Sequence, residues 1–178
     1  MKTAFKLMLI VFILLAFGCT RHIKPPKFDV YPEKIHSFKG DAPIKIIVPE
    51  EAEKEYLIEY AIPEKSSGKV FVDLNDLYKN AKELIEKQLT GHRVPVSPDA
   101  EKYLKFTITK AQWEVWAGGF SIGAYLDFDI ETGDGYKQHY KVQDGSGMDV
   151  SRSVGGTVTR AVEKIFQDKD VLAYIEKP

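Results

Sequence analysis

Asp127, Asp129 and Glu131 form the sharpest charged cluster in the sequence. Alternate side chains of a strand share one face, so these three carboxylates are a conceivable site for Ca²⁺, an ion that takes several oxygen ligands. The segment beyond the next turn answers with Lys137, His139 and Lys141 on the same alternation. Antiparallel pairing of Glu131 with Lys137 sets Asp129 against His139 and Asp127 against Lys141. Each such pair contributes roughly 0.2–1 kcal/mol and helps fix the register. Surface ion pairs are therefore the expectation, ahead of a metal site. The histidines (His22, His36, His92 and His139) have no ligand spacing, and isolated surface positions are expected for them. No Cys-x-x-Cys, Gly-x-Ser-x-Gly or phosphate-loop pattern occurs. These observations assign no catalytic residue, metal ligand or cofactor, and the expectation is a protein that is not an enzyme.

A different chemistry is written at the N-terminus. Lys2 and Lys6 supply positive charge, Leu7 to Phe17 is an unbroken apolar run, and Gly18-Cys19 ends it. This is the layout of a cleaved export signal, and the run is short for a transmembrane helix. Leu15-Ala16-Phe17-Gly18-Cys19 resembles a lipobox, in which a diacylglycerol is attached to the cysteine sulfur before cleavage. Cys19 is the only cysteine, so an internal disulfide is impossible, and lipidation explains both its number and its place. The expectation is a signal over residues 1–18 and a membrane anchor at Cys19. Thr20, in place of a retaining aspartate, points to the outer membrane.

The third candidate is aromatic. Trp113, Val115, Trp116 and Phe120 cluster at a hairpin end, with Tyr125 on the following strand. Large apolar groups there either cap the core or anchor a partner. The parity of the strand holds the answer. Leu104, Phe106 and Ile108 occupy even positions, whereas Trp113 and Val115 occupy odd ones. A regular strand would put the second set on the opposite face, making an exposed patch with Tyr125. A β-bulge near Lys110 to Gln112 would return Trp113 and Val115 to the core. Burying a large apolar side chain is worth about 1.5–3 kcal/mol, so the bulge is favoured.

Several elements must position these residues. Thr20 to about Asp41, with Pro25-Pro26, Pro32, Gly40 and scattered lysines, reads as an extended tether over residues 19–41 that does not pack tightly. A single α+β domain is expected over residues 42–178. Ile44–Val48, Tyr56–Ile62 and Lys69–Val72 read as strands. Asp73 to Thr90 carries the apolar stripe Leu74, Leu77, Tyr78, Ala81, Leu84, Ile85 and Leu89, with Asp73 as its cap and Gly91 as its left-handed stop. Tyr103–Trp116, Phe120–Ile130 and Tyr136–Gln143 form an antiparallel meander with one buried face. A second amphipathic helix follows Asp144-Gly145-Ser146-Gly147. Its Gly155-Gly156 costs roughly 1 kcal/mol per glycine, which close packing on the sheet would offset. Asp170 is the expected cap of a last short helix. The whole reads as a two-layer sandwich, a mixed but mostly antiparallel sheet with two main helices on one face.

The chain has 178 residues and a net charge of −1, which falls by two more when Lys2 and Lys6 are removed. Weak acidity argues against a nucleic-acid partner and offers no basic patch to anionic lipid.

The second half carries a resemblance. The helix ending Leu84-Ile85-Glu86-Lys87-Gln88-Leu89-Thr90 precedes a long strand, a meander, a glycine-containing approach and a helix with Ser151, Thr157, Ala161 and Val162 in fixed spacing. The chain closes with Gln167-Asp168-Lys169-Asp170-Val171-Leu172-Ala173-Tyr174-Ile175. Over residues 70–176 this is similar to the YajG-type lipoproteins of Gram-negative bacteria, and more loosely to auxiliary lipoproteins of envelope transport systems. The resemblance implies an outer-membrane-associated α+β domain and carries over no functional residues. The segment before Val70 departs from it. The expected role is a non-enzymatic lipoprotein, facing the periplasm, that binds an envelope protein or lipid. The alternatives are an accessory subunit of a lipid or lipopolysaccharide transport system, which needs a concave apolar surface, and a periplasmic hydrolase, which needs a cleft with paired carboxylates.

Overall fold

The computed structural model describes residues 20–49, 56–61, 69–116, 121–147 and 149–178. Among these, seven strands join in one mixed sheet: β1 (Thr20–Ile23), β2 (Ile44–Ile47), β3 (Tyr56–Ala61), β4 (Lys69–Val72), β5 (Lys102–Trp116), β6 (Ser121–Thr132) and β7 (Lys137–Ser146). Their order is β1-β4-β3-β5-β6-β7, with β2 also on β5. β5 spans the sheet because its first half takes β2 and its last turn-ward residues take β3, both in parallel. By length of pairing the sheet is mostly antiparallel, through β5-β6 and β6-β7. The expected α+β sandwich stands, with α1 (Leu74–Gly91) packed beside α2 (Val150–Ile165), and α2 lying on β6 and β7. A short α3 (Lys169–Glu176) closes the chain.

The meander has the register that its charges imply: Glu131 opposes Lys137, Asp129 opposes His139 and Asp127 opposes Lys141. The parity change in β5 is resolved by a bulge. Ile108 pairs with Phe128 and Lys110 with Asp127, so Thr109 is the extra residue, just ahead of the expected span. Leu104, Phe106 and Ile108 before it, and Ala111 and Trp113 after it, all face the core. A bulge releases backbone groups from the ladder, and here Tyr78 of α1 meets them. Its hydroxyl accepts from Ile108 N at 3.0 Å, inside the buried core.

Asp73 caps α1 by accepting from Asn75 N at 2.8 Å. The far end differs from expectation, since Gly91 stays helical and Arg93 takes the left-handed conformation with φ 64°. Val94 N donates to Leu89 O and Arg93 N to Thr90 O, the two bonds of a Schellman motif. Val94 and Leu89 are both buried, so the apolar contact at that stop outweighs the cost of a side chain at positive φ. The cap of α3 is Asp168, not Asp170; it accepts from Asp170 N and Val171 N at 2.8 and 3.1 Å. β7 runs on through Asp144, Gly145 and Ser146, which pair with Ala124, Gly123 and Ile122 where a loop was expected.

The largest correction concerns the segment expected to be a loose tether. β1 pairs in parallel with β4, and the chain from Lys24 to Phe38 then lies along α1 and α2 as a strap. Ile23, Val30, Ile35 and Phe38 belong to the hydrophobic core. Phe38 stacks between His92 and Phe166, at 4.2 and 5.0 Å between ring centroids, so His92 is part-buried and not an isolated surface group. The prolines keep the strap extended, which leaves its carbonyls free for helix side chains. Asn80 Nδ2 reaches Pro25 O (3.4 Å), Ser151 Oγ reaches Lys24 O (2.8 Å) and Thr159 Oγ1 reaches Phe28 O (3.3 Å).

Candidate functional site

α2 is buried on nearly every side from Ser153 to Glu163, because the sheet covers one flank and the strap another. Its small residues make that possible. A Cβ on Gly155 would collide with Pro26 O of the strap, and one on Gly156 with the Asp144 carboxylate of β7. The glycine pair therefore serves two contacts at once, only one of them on the sheet. At the N-terminal end of α2, Ser153 Oγ donates to Ile122 O at 3.0 Å and lies 3.0 Å from Ser146 Oγ, tying helix to meander.

Between strap, α2 and β7 a groove of about 230 Å³ opens. Phe28, Asp29 and Tyr31 form its strap wall, Asp144 and Gly145 its strand wall, and Arg152, Thr159, Arg160 and Glu163 its helix wall. The Arg160 guanidinium is shared: Nη1 donates to Glu163 Oε2 at 2.8 Å, and Nε lies 3.5 Å from Asp144 Oδ1. Its pKa is held above the ordinary value, first by the hydrogen bond to Glu163, against an opposing contribution from burial. Glu163 is 4 % exposed, and its Oε1 has no hydrogen-bond partner among the described residues. Tyr31, at the rim, is 58 % exposed.

The residues singled out in the sequence lie elsewhere. Trp113 is 4 % exposed in the core, so it cannot anchor a partner. Tyr125 is half-buried on the sheet, its hydroxyl donating to Glu114 and the Lys141 ammonium 5.7 Å from its ring centroid. Val115 and Trp116 belong to β5, but their side chains, like the whole of Phe120 and Cys19, lie outside the described residues. Trp113 is thus turned into the core, as the favoured bulge requires, and takes no part in an exposed aromatic patch. The acidic row is engaged by its neighbours: His139 Nδ1 stands 2.6 Å from Asp129 and Lys137 Nζ 3.1 Å from Glu131. Glu131 is held below its ordinary pKa chiefly by the hydrogen bond from Lys137. Lys141 opposes Asp127 in register, with its ammonium over the Tyr125 ring.

The groove escaped the sequence reading because its parts come from three distant segments. One signal was present: Arg160 and Glu163, an i,i+3 ion pair, follow a stretch of the helix from Ser153 to Thr159 built wholly of small and apolar residues.

The sequence matches no family model and no curated protein. Solved structures give a likeness of fold. The protein XCC0632 of Xanthomonas campestris, of the DUF330 family, superposes with a TM-score of 0.51 at 9 % identity, covering 89 % of this chain and 95 % of that one. A minor lipoprotein of Acinetobacter baumannii gives a TM-score of 0.42 at 10 % identity, over 76 % and 97 % of the two chains. The first of these likenesses extends the α+β fold of this chain to a protein of almost unrelated sequence.

Proposed function

We propose that the chain is a lipid-anchored envelope protein, lipidated at Cys19 and held at the outer membrane facing the periplasm. Its α+β domain binds another envelope component, protein or lipid, without catalysing a reaction. The observation that carries this reading is the junction at residue 20. Thr20, directly after the cysteine of Leu15-Ala16-Phe17-Gly18-Cys19, already pairs with Lys69 in the sheet. A lipid on Cys19 would therefore hold the folded domain against the bilayer, and the strap would fix which way it faces. Each buried CH₂ of an acyl chain contributes about 0.8 kcal/mol, so several chains make attachment durable. Among the described residues no helix is long and apolar enough to cross a membrane. The order of elements over residues 70–176 supports kinship with the YajG-type lipoproteins.

Binding without catalysis is favoured by the groove, where two carboxylates share one guanidinium in an ion-pair arrangement. The transport-accessory reading asks for an apolar concavity, and this groove is lined by Asp29, Asp144, Arg152, Arg160 and Glu163. The test is growth with labelled palmitate. Cys19→Ser is expected to abolish the label and release the protein from the membrane fraction, and label persisting in that variant would end the anchor reading. Crosslinking and affinity purification from envelope membranes would then identify the bound component.

A further inference from the structure

The topology gathers several strand ends at one edge of the fold. β5 is parallel to β3 and antiparallel to β6, β4 is antiparallel to β3, and β1 runs parallel to β4. Thr20, Ala61, Lys69, Trp116 and Ser121 therefore share one end of the sheet, with Ser146 of β7 opposite Ile122 beside them. α2 starts at the same end, where Ser153 Oγ donates to Ile122 O.

The register also sets the levels within that end. Thr20 pairs with Lys69 and Lys69 with Glu59, the residue before the Tyr60–Trp113 pair. Thr20 thus stands level with Gln112, four residues short of Trp116 at the close of β5. At 3.3 Å per residue the β5–β6 hairpin projects about 13 Å beyond Thr20. Cys19, one residue further out, recovers at most about 3.8 Å of this. A bilayer that takes acyl chains from Cys19 therefore meets the hairpin too, to a depth of about 10 Å. Apolar groups of proteins that lie in the membrane interface are buried to a similar depth, about 5–10 Å.

The composition of the two ends agrees with that placement. From Val115 to Leu126 no residue is charged, the longest such stretch after Cys19 in a chain that is 29 % charged. It includes Trp116 and Phe120, and aromatic side chains favour the boundary between membrane and water. Ser146 and Gly147 add no charge, and Asp149 spends its carboxylate on Arg152 N as the cap of α2. Arg152 is exposed there, and a long cationic side chain can hold its head at the phosphates with its stem in apolar surroundings. The opposite end is the reverse: Asp99 and Glu101 are exposed, and Asp134 of the β6–β7 turn pairs with Lys177.

We propose that this end of the sheet lies on the bilayer, with the end of the β5–β6 hairpin, where Trp116 pairs with Ser121, seated in the interfacial layer of the phospholipid leaflet that holds the acyl chains of Cys19. The inference rests on the anchor reading above and adds to it a second, apolar membrane contact and an orientation.

The experiment uses the full lipidated chain in vesicles of phosphatidylethanolamine and phosphatidylglycerol. Trp113 and Trp116 are the only tryptophans, so Trp113→Phe leaves Trp116 as the reporter. Its emission should shift to the blue on reconstitution and be lost to phospholipids brominated high on the acyl chain. Should Trp113→Phe not fold, Ser121→Cys serves instead, because with Cys19 acylated its thiol alone takes a nitroxide label. That label should be relaxed by oxygen more than by a water-soluble nickel chelate, and Asp99→Cys, at the opposite end, should show the reverse order. An unquenched Trp116, or a Ser121→Cys label as open to nickel as that of Asp99→Cys, overturns the proposal. A Ser121→Cys label shielded from both agents overturns it too, and marks a protein partner at the hairpin. Palmitate labelling of the same samples separates the two readings. Label without membrane contact at the hairpin refutes the orientation alone, whereas absence of label refutes the anchor and the orientation with it.

Discussion

Gly155→Ala sets helix propensity against the strap, and the two effects have opposite signs. Alanine in the interior of α2 should stabilise the helix by about 1 kcal/mol relative to glycine. The new methyl, however, would collide with Pro26 O and stand 3.1 Å from the Phe28 ring. Ordinary contact between such atoms requires the strap to retreat by about 1 Å. That retreat carries the bonds at Pro25 O (3.4 Å) and Phe28 O (3.3 Å) beyond hydrogen-bonding distance. Each is worth about 1 kcal/mol, so the losses exceed the gain and the variant should be net destabilised by about 1 kcal/mol. For a domain of this size the melting temperature should fall by about 2–4 °C. The sharper assay is limited trypsin digestion, because the Lys27–Phe28 bond lies in the strap beside Gly155. Faster cleavage there, with the rest of the domain still resistant, is the expected outcome. A variant more stable than the parent by about 1 kcal/mol, with that bond equally protected, would show that no strap lies on Gly155.

Other perturbations follow from the same contacts. Tyr78→Phe keeps the aromatic ring but strands the buried N–H of Ile108 at the bulge, so chemical denaturation should show a loss of about 1–3 kcal/mol. Arg93→Gly removes a side chain from a left-handed position and should raise stability by about 1 kcal/mol, read as a higher melting temperature. Asp134 is pulled down to about 2, chiefly by the hydrogen bond from Lys177 and then by that from Thr132. A lowered carboxyl pKa contributes stability above the unfolded value, near 4, and loses it as the pH falls toward 2. Carbon-detected NMR titration should show this, and Lys177→Ala should return Asp134 toward the ordinary carboxylate range.

The parts of the fold that were legible in the sequence were those whose signal is local. The alternation from Ile122 to Ile130 named the buried face of β6, and complementary charges on Asp129, Glu131, Lys137 and His139 named the register. The bulge followed from a parity count. Its position at Thr109 did not, because the polar run Thr109-Lys110 has no apolar phase to locate the slip. The strap was misread because proline and lysine give it a linker's composition, while its burial rests on helices more than fifty residues away. The groove was invisible for the same reason. Asp144, Arg160 and Glu163 acquire meaning only when β7 continues past Gln143 and lies under α2, and Gly145 in that stretch reads locally as a turn.

The strap also sets an order of events. Ser151 to Lys24, Thr159 to Phe28 and Gln167 to Lys34 close loops of 127, 131 and 133 residues, nearly the length of the domain. Contacts that span so much chain form late, because the entropy of closing the loop must be met before any bond is gained. The strap thus finds its seat only after α2, more than a hundred residues further on, has been made. Until then α2, whose glycines and threonines are weak helix formers, lacks one of the two surfaces that hold it. A chain wired in this way stays incompletely folded until its two ends have met.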